Sequence, residues 1–270
     1  MRTNPRPTTE TIGYYYPESY GPYQSSRVTN LKNIPDKRSI LLRTLRRLFE
    51  FNMDRLPPIS PPGRMLEVGC ASGAFLHRMA QQGWIVEGVE FSKAAAENAR
   101  SLGYRVFAGT IEDMPDPEKV FDVVVGWMVL EHLHEPVLAL EKMYCWTKPG
   151  GWLVISVPNT ASMDFKLFKG AWYALHLPNH LYHFTPETIS LMLNRAGWAV
   201  ENIFPQRILI NWIGSVGYIM EELGIMHWLA KKLSAYPSRP HRANFWFYPL
   251  AYLLGCFGQT GLMTIWARKL

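Results

Sequence analysis

The chain has 270 residues, of which 48% are hydrophobic and 19% are charged. These proportions exclude a disordered, collagenous or coiled-coil protein and fit one large domain with appendages. The formal net charge of +6 resides in residues 1–64, which hold 11 Lys/Arg and 5 Asp/Glu, while the rest of the chain is balanced. Three widely spaced cysteines do not form a disulfide framework, so we expect a reducing, cytoplasmic location.

The N-terminal part of the chain differs in composition from the rest. Residues 1–30 are rich in Tyr, Pro and Ser and predict an irregular arm, and Lys37–Asn52 predicts a basic amphipathic helix. The proline-rich stretch Leu56–Gly63 predicts a linker, because proline interrupts both helices and central strands. We therefore expect an arm with a basic helix at 1–60 and a main domain at 61–270. The basic segment either meets an acidic surface, such as anionic lipid, nucleic acid or a phosphorylated substrate, or is a solvated helix face.

From Arg64 onwards, predicted strands and helices alternate. Seven strands are predicted at Met65–Val68, Trp84–Glu90, Tyr104–Ala108, Phe121–Trp127, Trp152–Val157, Trp198–Phe204 and Leu262–Ala267. Helices are predicted between them at Phe75–Gln82, Lys93–Leu102, Pro136–Trp146 and Pro186–Ala196. Alternation of this kind is typical of an α/β fold. The sequence therefore predicts a doubly wound, mostly parallel sheet with helices on both faces.

A hydrophobic insertion is predicted at 205–261, before the last strand. Its two apolar runs, 208–220 and 245–257, flank a stretch with several Lys and Arg residues. Such helices either lie in a membrane interface, cover an acceptor pocket or form a subunit contact. The uncharged stretch Ala243–Ala267 is long enough to span a bilayer, but proline and three glycines interrupt it, so we expect no transmembrane helix there.

The first predicted strand ends in a glycine-containing loop, Leu66–Gly73. A loop of this kind lets a ligand approach bare backbone, and the helix that follows offers free N–H groups to an anion. About twenty residues later, Glu90 ends the second strand, where an acid can bind both hydroxyls of a ribose. Together they indicate a nucleoside-containing cofactor with a negative group. A nicotinamide site is disfavoured, because Ala71 and Ala74 stand where its fingerprint requires glycine.

Several motifs resemble those of the class I S-adenosylmethionine-dependent methyltransferases. The loop Glu67-Val-Gly69-Cys-Ala71-Ser-Gly73 resembles their first motif, acid-x-Gly-x-Gly-x-Gly, with Ala71 in place of the middle glycine. Phe121–His132 resembles the fourth-strand motif, which ends in Leu-Glu-His, and Lys148–Gly151 resembles the turn before the fifth strand. Glu112–Pro115 resembles the segment that lines the adenine. The resemblance covers about residues 60–204 and implies a Rossmann-like domain that binds S-adenosylmethionine.

The resemblance also implies roles for individual residues. The methionine part of the cofactor would be surrounded by Glu67, Gly69, Cys70, Ala71 and Gly73. Glu90 would bind the ribose, Phe91 would pack on the adenine, and the pocket would be closed by Ile111, Glu112, Trp127 and Met128. Thr110 stands where the family usually carries Asp, so Glu112 or backbone groups would hold the adenine amine.

Two further segments resemble one branch of the family, the methyltransferases linked to bacterial surface glycans and the relatives of quinone O-methyltransferases. One is Trp172 followed by Leu177–Thr185, and the other is the tyrosine-rich Tyr14–Tyr20. The implied acceptor-site residues are Tyr16, Tyr20, Trp172, His180 and His183. The tyrosines form either a lid that excludes water or an ordered arm packed on the core.

Transfer of a methyl group to a hydroxyl requires alignment and a base. His132, at the mouth of the predicted site, is the first choice for the base, and His180 is the second catalytic residue. The alternative for His132 is a structural histidine bonded to backbone. We predict no metal, because Met128 stands where some quinone O-methyltransferases carry the extra acid that completes a divalent site.

The sequence thus predicts an S-adenosylmethionine-dependent methyltransferase. The first hypothesis for its reaction is O-methylation of a sugar hydroxyl in glycan assembly. The alternatives are O-methylation of a phenol or quinone precursor, and a non-catalytic S-adenosylmethionine-binding protein. The acceptor is predicted to be a small or lipid-linked molecule. A lipid-linked acceptor would place the protein at the inner face of the membrane. Nucleic acid is not expected, because no Asn-Pro-Pro-Tyr-type motif follows the fourth strand.

Overall fold

The computed structural model describes residues 1–16, 56–59, 61–238 and 244–270. The predicted helix Lys37–Asn52 and Tyr20 lie outside these residues. The strands are β1 (Arg64–Val68), β2 (Ile85–Glu90), β3 (Arg105–Ala108), β4 (Phe121–Trp127), β5 (Thr147–Pro158), β6 (Ala199–Pro205) and β7 (Leu262–Arg268). The α-helices of the described residues are α1 (Ala74–Ala80), α2 (Lys93–Ser101), α3 (Pro136–Trp146), α4 (Met163–Phe168), α5 (Pro186–Arg195), α6 (Ile210–Glu222), α7 (His227–Ser234) and α8 (Asn244–Cys256).

The seven strands form one sheet in the order β3-β2-β1-β4-β5-β7-β6. The neighbours from β3 to β5 are parallel, whereas β7 runs antiparallel to both β5 and β6. The predicted α/β fold with a doubly wound, mostly parallel sheet is therefore confirmed. One boundary differs clearly from the prediction: β5 begins at Thr147, because Thr147 pairs with Phe121 ahead of a register shift.

The central strands are buried on both faces of the sheet. The run Val123–Val125 has no exposed side chain, which explains why β4 reads as a continuous apolar stretch. Because side chains alternate along a strand, Leu66 and Val124 enter one core while Met65 and Val123 enter the other. The rigid sheet therefore fixes the carboxyl ends of β1, β2 and β4 relative to one another.

Local sequence signals set several helix boundaries. Thr185 caps α5 in a capping box with Thr188, and Pro186 occupies the first helical position, as its fixed φ favours. Ser92 caps α2 by accepting a hydrogen bond from the Ala95 N–H. Both helices therefore begin at the predicted residues, Lys93 and Pro186.

The hydrophobic insertion folds into α6, α7 and α8 between β6 and β7. Helices α6 and α7 cross closely at Gly217, where an added Cβ would collide with the backbone of Ser234. Within the described ranges, no helix is both long enough and apolar enough to cross a membrane.

Candidate functional site

The glycine-containing loop after β1 has the backbone shape that the sequence predicts. Gly69 and Gly73 adopt φ of 72° and 80°, and a Cβ on Gly73 would lie 2.8 Å from the Cβ of Ala99 in α2. Ala71 also lies in the left-handed region, with φ of 46°. Because glycine has no side chain, the loop can lie close to α2. It stays open at the carboxyl edge of the sheet, where ligands of such folds bind.

Glu90, at the end of β2, ties this loop to the neighbouring strand. Its Oε2 accepts a hydrogen bond from the Ala71 N–H at 2.8 Å, and its Oε1 accepts one from the Ser92 N–H at 2.8 Å. Burial raises the pKa of Glu90, and these backbone donors oppose the increase. The predicted ribose acid therefore also holds the loop in place, a contact that the sequence did not reveal.

Glu67 is a buried carboxylate with an unsatisfied oxygen. Burial raises its pKa well above the ordinary value, and the nearby charge of Glu90 adds to the increase. Its Oε2 has no hydrogen-bond partner among the described residues. An unpaired buried carboxylate is costly unless a donor or cation reaches it. The ammonium group of S-adenosylmethionine, the cofactor that the resemblance implies, meets this requirement.

The segment that is predicted to line the adenine is held by Lys142, which no sequence motif indicates. Lys142, in α3, donates from Nζ to the backbone carbonyls of Ile111, Glu112 and Met114. The side chains of Ile111 and Met114 are buried in the core, and Asp113 between them is exposed. A lysine facing three carbonyls would have been visible in the sequence only as one more helix residue.

The remaining cofactor-site residues follow β1, β2 and β4. Phe91 is half-exposed directly after Glu90, which leaves its ring available for stacking. The Trp127 ring packs edge-on against Phe75, and Met128 turns the chain with φ of 55°. Cys70 is buried in the core, and burial raises the pKa of its thiol. It therefore provides only backbone groups to the loop and no reactive thiolate.

Beside this pocket, histidines from two segments form a cluster. His132 ends the short 3-10 helix Leu130–His132 after β4, and its ring centroid lies 4.6 Å from that of His180. The His180 ring in turn lies 5.0 Å from His176. His176 and His180 lie in the irregular segment 176–184, as the prolines of this region predict. The two predicted catalytic histidines are therefore in contact.

Hydrogen bonds fix the roles of the ring nitrogens. The Tyr16 hydroxyl lies 2.6 Å from Nδ1 of His132. A phenol O–H is a better donor than the N–H of a neutral imidazole, so we assign the Tyr16 hydroxyl as the donor and Nδ1 of His132 as the acceptor. In His180, Nδ1 donates to the Ala174 carbonyl at 2.9 Å, which leaves Nε2 without a proton.

Glu131 lies behind the two rings. Its Oε1 is 4.0 Å from Nε2 of His180, and neither of its carboxylate oxygens has a hydrogen-bond partner among the described residues. Burial raises the pKa of Glu131 to about 8. The pKa of His132 is lowered to about 3, mainly by burial and further by His176, and the pKa of His180 is lowered well below its ordinary value. Near neutral pH, these three side chains are therefore uncharged.

The N-terminal arm covers this cluster as an ordered segment. The Thr3 N–H donates to the Leu181 carbonyl at 3.0 Å, and the Thr3 hydroxyl lies 3.0 Å from Nε2 of His183. The Asn179 side chain donates to the Tyr15 carbonyl at 2.9 Å, next to Tyr16. Of the two sequence interpretations of this region, the structure favours an ordered arm for residues 1–16.

Among the residues that the structure describes, Glu131, His132 and His180 form a group that could hold a metal ion. One ligand atom from each lies within 4.8 Å of the others. Imidazole nitrogens with a carboxylate oxygen suit zinc or a related divalent ion, and the unpaired oxygens of Glu131 would accept either a cation or a proton. The absence of a metal stays a prediction. It rests on Met128, and no sequence motif indicates that His180 lies close to Glu131 and His132.

Two predicted acceptor-site residues lie apart from the histidine rings at the site centre. Trp172 is buried and packs edge-on against Phe165 in a separate core cluster. The His183 ring is engaged by Thr3 of the arm, and burial lowers its pKa to about 4. Trp172 thus contributes packing and His183 arm docking in this structure. A direct role for either residue in acceptor binding stays a prediction.

A family model described as a methyltransferase domain matches residues 40–203 of the chain. Among curated proteins, a ubiquinone biosynthesis O-methyltransferase of Alkalilimnicola ehrlichii is 34% identical over 125 residues, which cover 42% of this chain and 49% of that protein. The first relatives of this kind are matched over 49% to 66% of their own length, so the chain spans less than two thirds of each.

Solved structures share the fold at low sequence identity. An S-adenosylmethionine-dependent methyltransferase of Mesorhizobium loti has a TM-score of 0.53 and 17% identity, with coverage of 83% of this chain and 96% of that one. The [4+2]-cyclase SpnF has a TM-score of 0.57 and 20% identity, with coverage of 98% and 97%. Because these two proteins carry descriptions of different reactions, the shared fold does not identify the acceptor.

Proposed function

The chain belongs to the class I S-adenosylmethionine-dependent methyltransferases, and on this premise we propose that it O-methylates a phenolic hydroxyl of a small or lipid-linked acceptor. S-adenosylmethionine is the methyl donor, and when bound it supplies an activated methyl group. The residues that hold it are the loop Gly69–Gly73, the carboxylates Glu67 and Glu90, and the wall around Phe91. The rest of the reaction requires an aligned acceptor oxygen and a site for its proton.

The observation that carries the proposal is the position of Tyr16, whose side chain is itself a phenol. Its hydroxyl lies 2.6 Å from Nδ1 of His132, and its ring lies edge-on to Phe91 with 6.2 Å between centroids. Tyr16 therefore bridges the cofactor wall and the histidine cluster. A phenolic acceptor that displaced this side chain would bring its own hydroxyl to the same nitrogen.

His132 is the proposed base. Its Nδ1 is the assigned acceptor nitrogen. As the acceptor oxygen forms its bond to the methyl carbon, its proton would pass to Nδ1 of His132, and the electron pair of the broken sulfur–methyl bond would stay on the sulfur of the leaving S-adenosylhomocysteine. His180 and Glu131 lie behind this ring, where an ionised Glu131 would favour a protonated histidine.

The low pKa of His132 favours a phenol over a sugar hydroxyl. A base with a pKa of about 3 takes a proton only from a group that is itself readily deprotonated during transfer. A phenol has a pKa near 10, several units below that of an aliphatic alcohol. The similarity to ubiquinone biosynthesis O-methyltransferases supports the same choice.

A sugar hydroxyl is the second candidate, as the first hypothesis of the sequence analysis. It is supported by the segment Leu177–Thr185, which resembles the glycan-linked branch of the family and which here supplies His180 to the site. Because an aliphatic hydroxyl has a higher pKa than a phenol, this reaction would require a stronger base than His132 alone.

Methyl-labelled S-adenosylmethionine distinguishes these candidates. The purified protein is incubated with a catechol and, in parallel, with a methyl glycoside. Labelled product is counted in the organic extract and, after unreacted S-adenosylmethionine is removed by cation exchange, in the aqueous phase. Transfer to the catechol alone supports the proposal, and transfer to the glycoside alone overturns it in favour of a sugar. A protein that binds S-adenosylmethionine in calorimetry but transfers label to neither acceptor, nor to any component of a cell extract, would overturn both candidate reactions. It would favour a non-catalytic binding protein.

A further inference from the structure

The insertion helices expose apolar side chains on their outer side. In α8, Tyr248, Ala251 and Gly255 face inwards and are buried, whereas Leu250 and Leu253 are exposed. Phe257, one turn beyond Leu253, continues this outer stripe and is 72% exposed. The helix is therefore apolar on both sides. In a protein surrounded only by water, a helix of this kind would be buried completely.

A second exposed apolar region lies at the turn between α6 and α7. The side chains of Leu223, Ile225, Met226 and Trp228 are all exposed there, with Trp228 at 66%. Single exposed apolar residues are common, but a run of large ones marks an interaction surface. We call the outer stripe of α8 and this turn the insertion surface.

The exposed charges beside the insertion surface have both signs, because Glu221 and Glu222 directly precede Leu223, but Lys and Arg are in excess across the insertion. Lys231 and Lys232 follow Trp228 by three and four residues, so they share its exposed side of α7. Across residues 205–261 the sequence contains five Lys/Arg and two Glu. Exposed tryptophan next to lysine is typical of surfaces that meet phospholipid headgroups.

We propose that the insertion surface binds an anionic phospholipid bilayer from one side, with α8 lying in the interface. At about 1.5 Å per residue, the 13 residues of α8 span about 20 Å, which is shorter than the hydrocarbon core of about 30 Å. The helix can therefore lie in the headgroup region but cannot cross the membrane. The proposal is independent of the acceptor, since it concerns where the protein binds and not what it methylates.

Co-sedimentation with vesicles tests this proposal. The full chain is mixed with vesicles of phosphatidylcholine alone or of phosphatidylcholine with phosphatidylglycerol. We expect binding to the mixed vesicles and about tenfold weaker binding for the double variant L253E/F257E, because two carboxylates would have to enter the interface. The variant K231E/K232E should also bind about tenfold more weakly and lose most of its salt dependence.

Leu191→Glu is the matched control, because Leu191 is an exposed leucine of α5, outside the insertion. It should bind vesicles as the wild type does. Calorimetry with S-adenosylmethionine checks that every variant is folded. Wild-type protein that stays in the supernatant with mixed vesicles, or L253E/F257E that binds them normally, overturns the proposal. A wild-type dimer in light scattering that L253E/F257E dissociates, without vesicle binding, would identify the occupant as a second copy.

Discussion

The hydroxyl of Tyr16 lies 2.6 Å from Nδ1 of His132, although 116 residues separate them in the chain. The arm that carries Tyr16 is docked on the segment containing His180 and His183 by backbone and side-chain hydrogen bonds. The nitrogen assigned as the proton acceptor is therefore occupied by a phenol of the protein itself. This contact gives the first prediction, because displacement of Tyr16 and positioning by Tyr16 have opposite kinetic consequences.

Tyr16→Phe removes the hydroxyl and leaves the ring. If a phenolic acceptor displaces this hydroxyl from His132, the variant should have a lower KM for the acceptor and an unchanged kcat, because no hydrogen bond has to be broken first. Tyr15→Phe is the control, since the Tyr15 hydroxyl belongs to an exposed neighbour in the same arm. A fall in kcat with an unchanged KM would instead mean that Tyr16 positions the histidine.

His132→Ala should lower kcat by about 10²- to 10⁴-fold, the usual contribution of a general base. The Kd for S-adenosylmethionine should stay nearly the same, because His132 lies on the acceptor side of the site. His134→Ala is the matched control. His134 lies two residues further along, and its Nε2 contacts the Pro7 carbonyl rather than the cluster. Equal kcat values for His132→Ala and the wild type would assign His132 a structural role.

Glu131 should control the pH dependence of the reaction. Because burial raises its pKa to about 8, it becomes a carboxylate only above that pH, where its charge favours a protonated His180 or His132. We expect kcat to rise with pH through an apparent pKa near 8 in the wild type, and this rise to be absent in Glu131→Gln. An identical pH profile in the two proteins would contradict this role.

The same pKa shift predicts a stability effect. The folded pKa of Glu131 lies above the unfolded value of about 4.3, so the folded state holds a proton that the unfolded chain has released. Its contribution to the free energy of unfolding therefore falls as pH rises from about 4.3 to about 8. Glu131→Gln should lose less stability than the wild type over this range in urea titrations.

If a proton rather than a metal ion occupies Glu131, removal of metals has no effect. We therefore expect both the stability and the kcat of the wild type to be unchanged by EDTA.

The fold and the backbone shape of the predicted cofactor loop could be predicted from the sequence because their signals are local. The loop Glu67–Gly73 and the acid Glu90 each follow a strand whose hydrophobic run is unmistakable, and parallel strands necessarily bring their carboxyl ends to one edge of the sheet. The fold follows from the same alternation of strands and helices. A few residues of motif therefore determine both the shape and the place of this pocket.

The acceptor side could be predicted only in part, because distant segments build it. His132, His180 and Tyr16 were each named from motifs, but nothing in their spacing shows that Tyr16 contacts His132 or that Glu131 faces His180. Irregular segments such as 176–184 lack the periodicity from which side-chain directions are read. Burial, which lowers the pKa of His132, is likewise a property of the assembled arm and core.

Glu90→Ala should weaken binding of S-adenosylmethionine by at least about tenfold, because it removes both the expected ribose contact and the acceptor for the Ala71 N–H. Glu90→Gln is the matched variant. Its amide oxygen can still accept the hydrogen bond from Ala71, so its affinity should lie between those of the wild type and Glu90→Ala. Calorimetry measures the three Kd values. Unchanged affinity in Glu90→Ala would overturn the assignment of the ribose acid.

Ala71→Gly should stabilise the protein. Ala71 has φ of 46°, a left-handed conformation that costs an L-residue with a Cβ about 1–2 kcal/mol. Glycine removes this cost but adds about 0.4–1 kcal/mol of chain entropy to the unfolded state, so we expect a net gain of about 0.5–1 kcal/mol in the free energy of unfolding. Ala94→Gly, at an exposed position inside α2, is the control with the opposite sign and should lose about 0.5–1 kcal/mol.

Urea titration measures the free energy of unfolding of both variants. A loss of stability in Ala71→Gly would show that the Cβ of Ala71 makes packing contacts worth more than the strain. Unchanged Kd for S-adenosylmethionine would show that the loop keeps its shape, since the Ala71 N–H that meets Glu90 is present in both proteins.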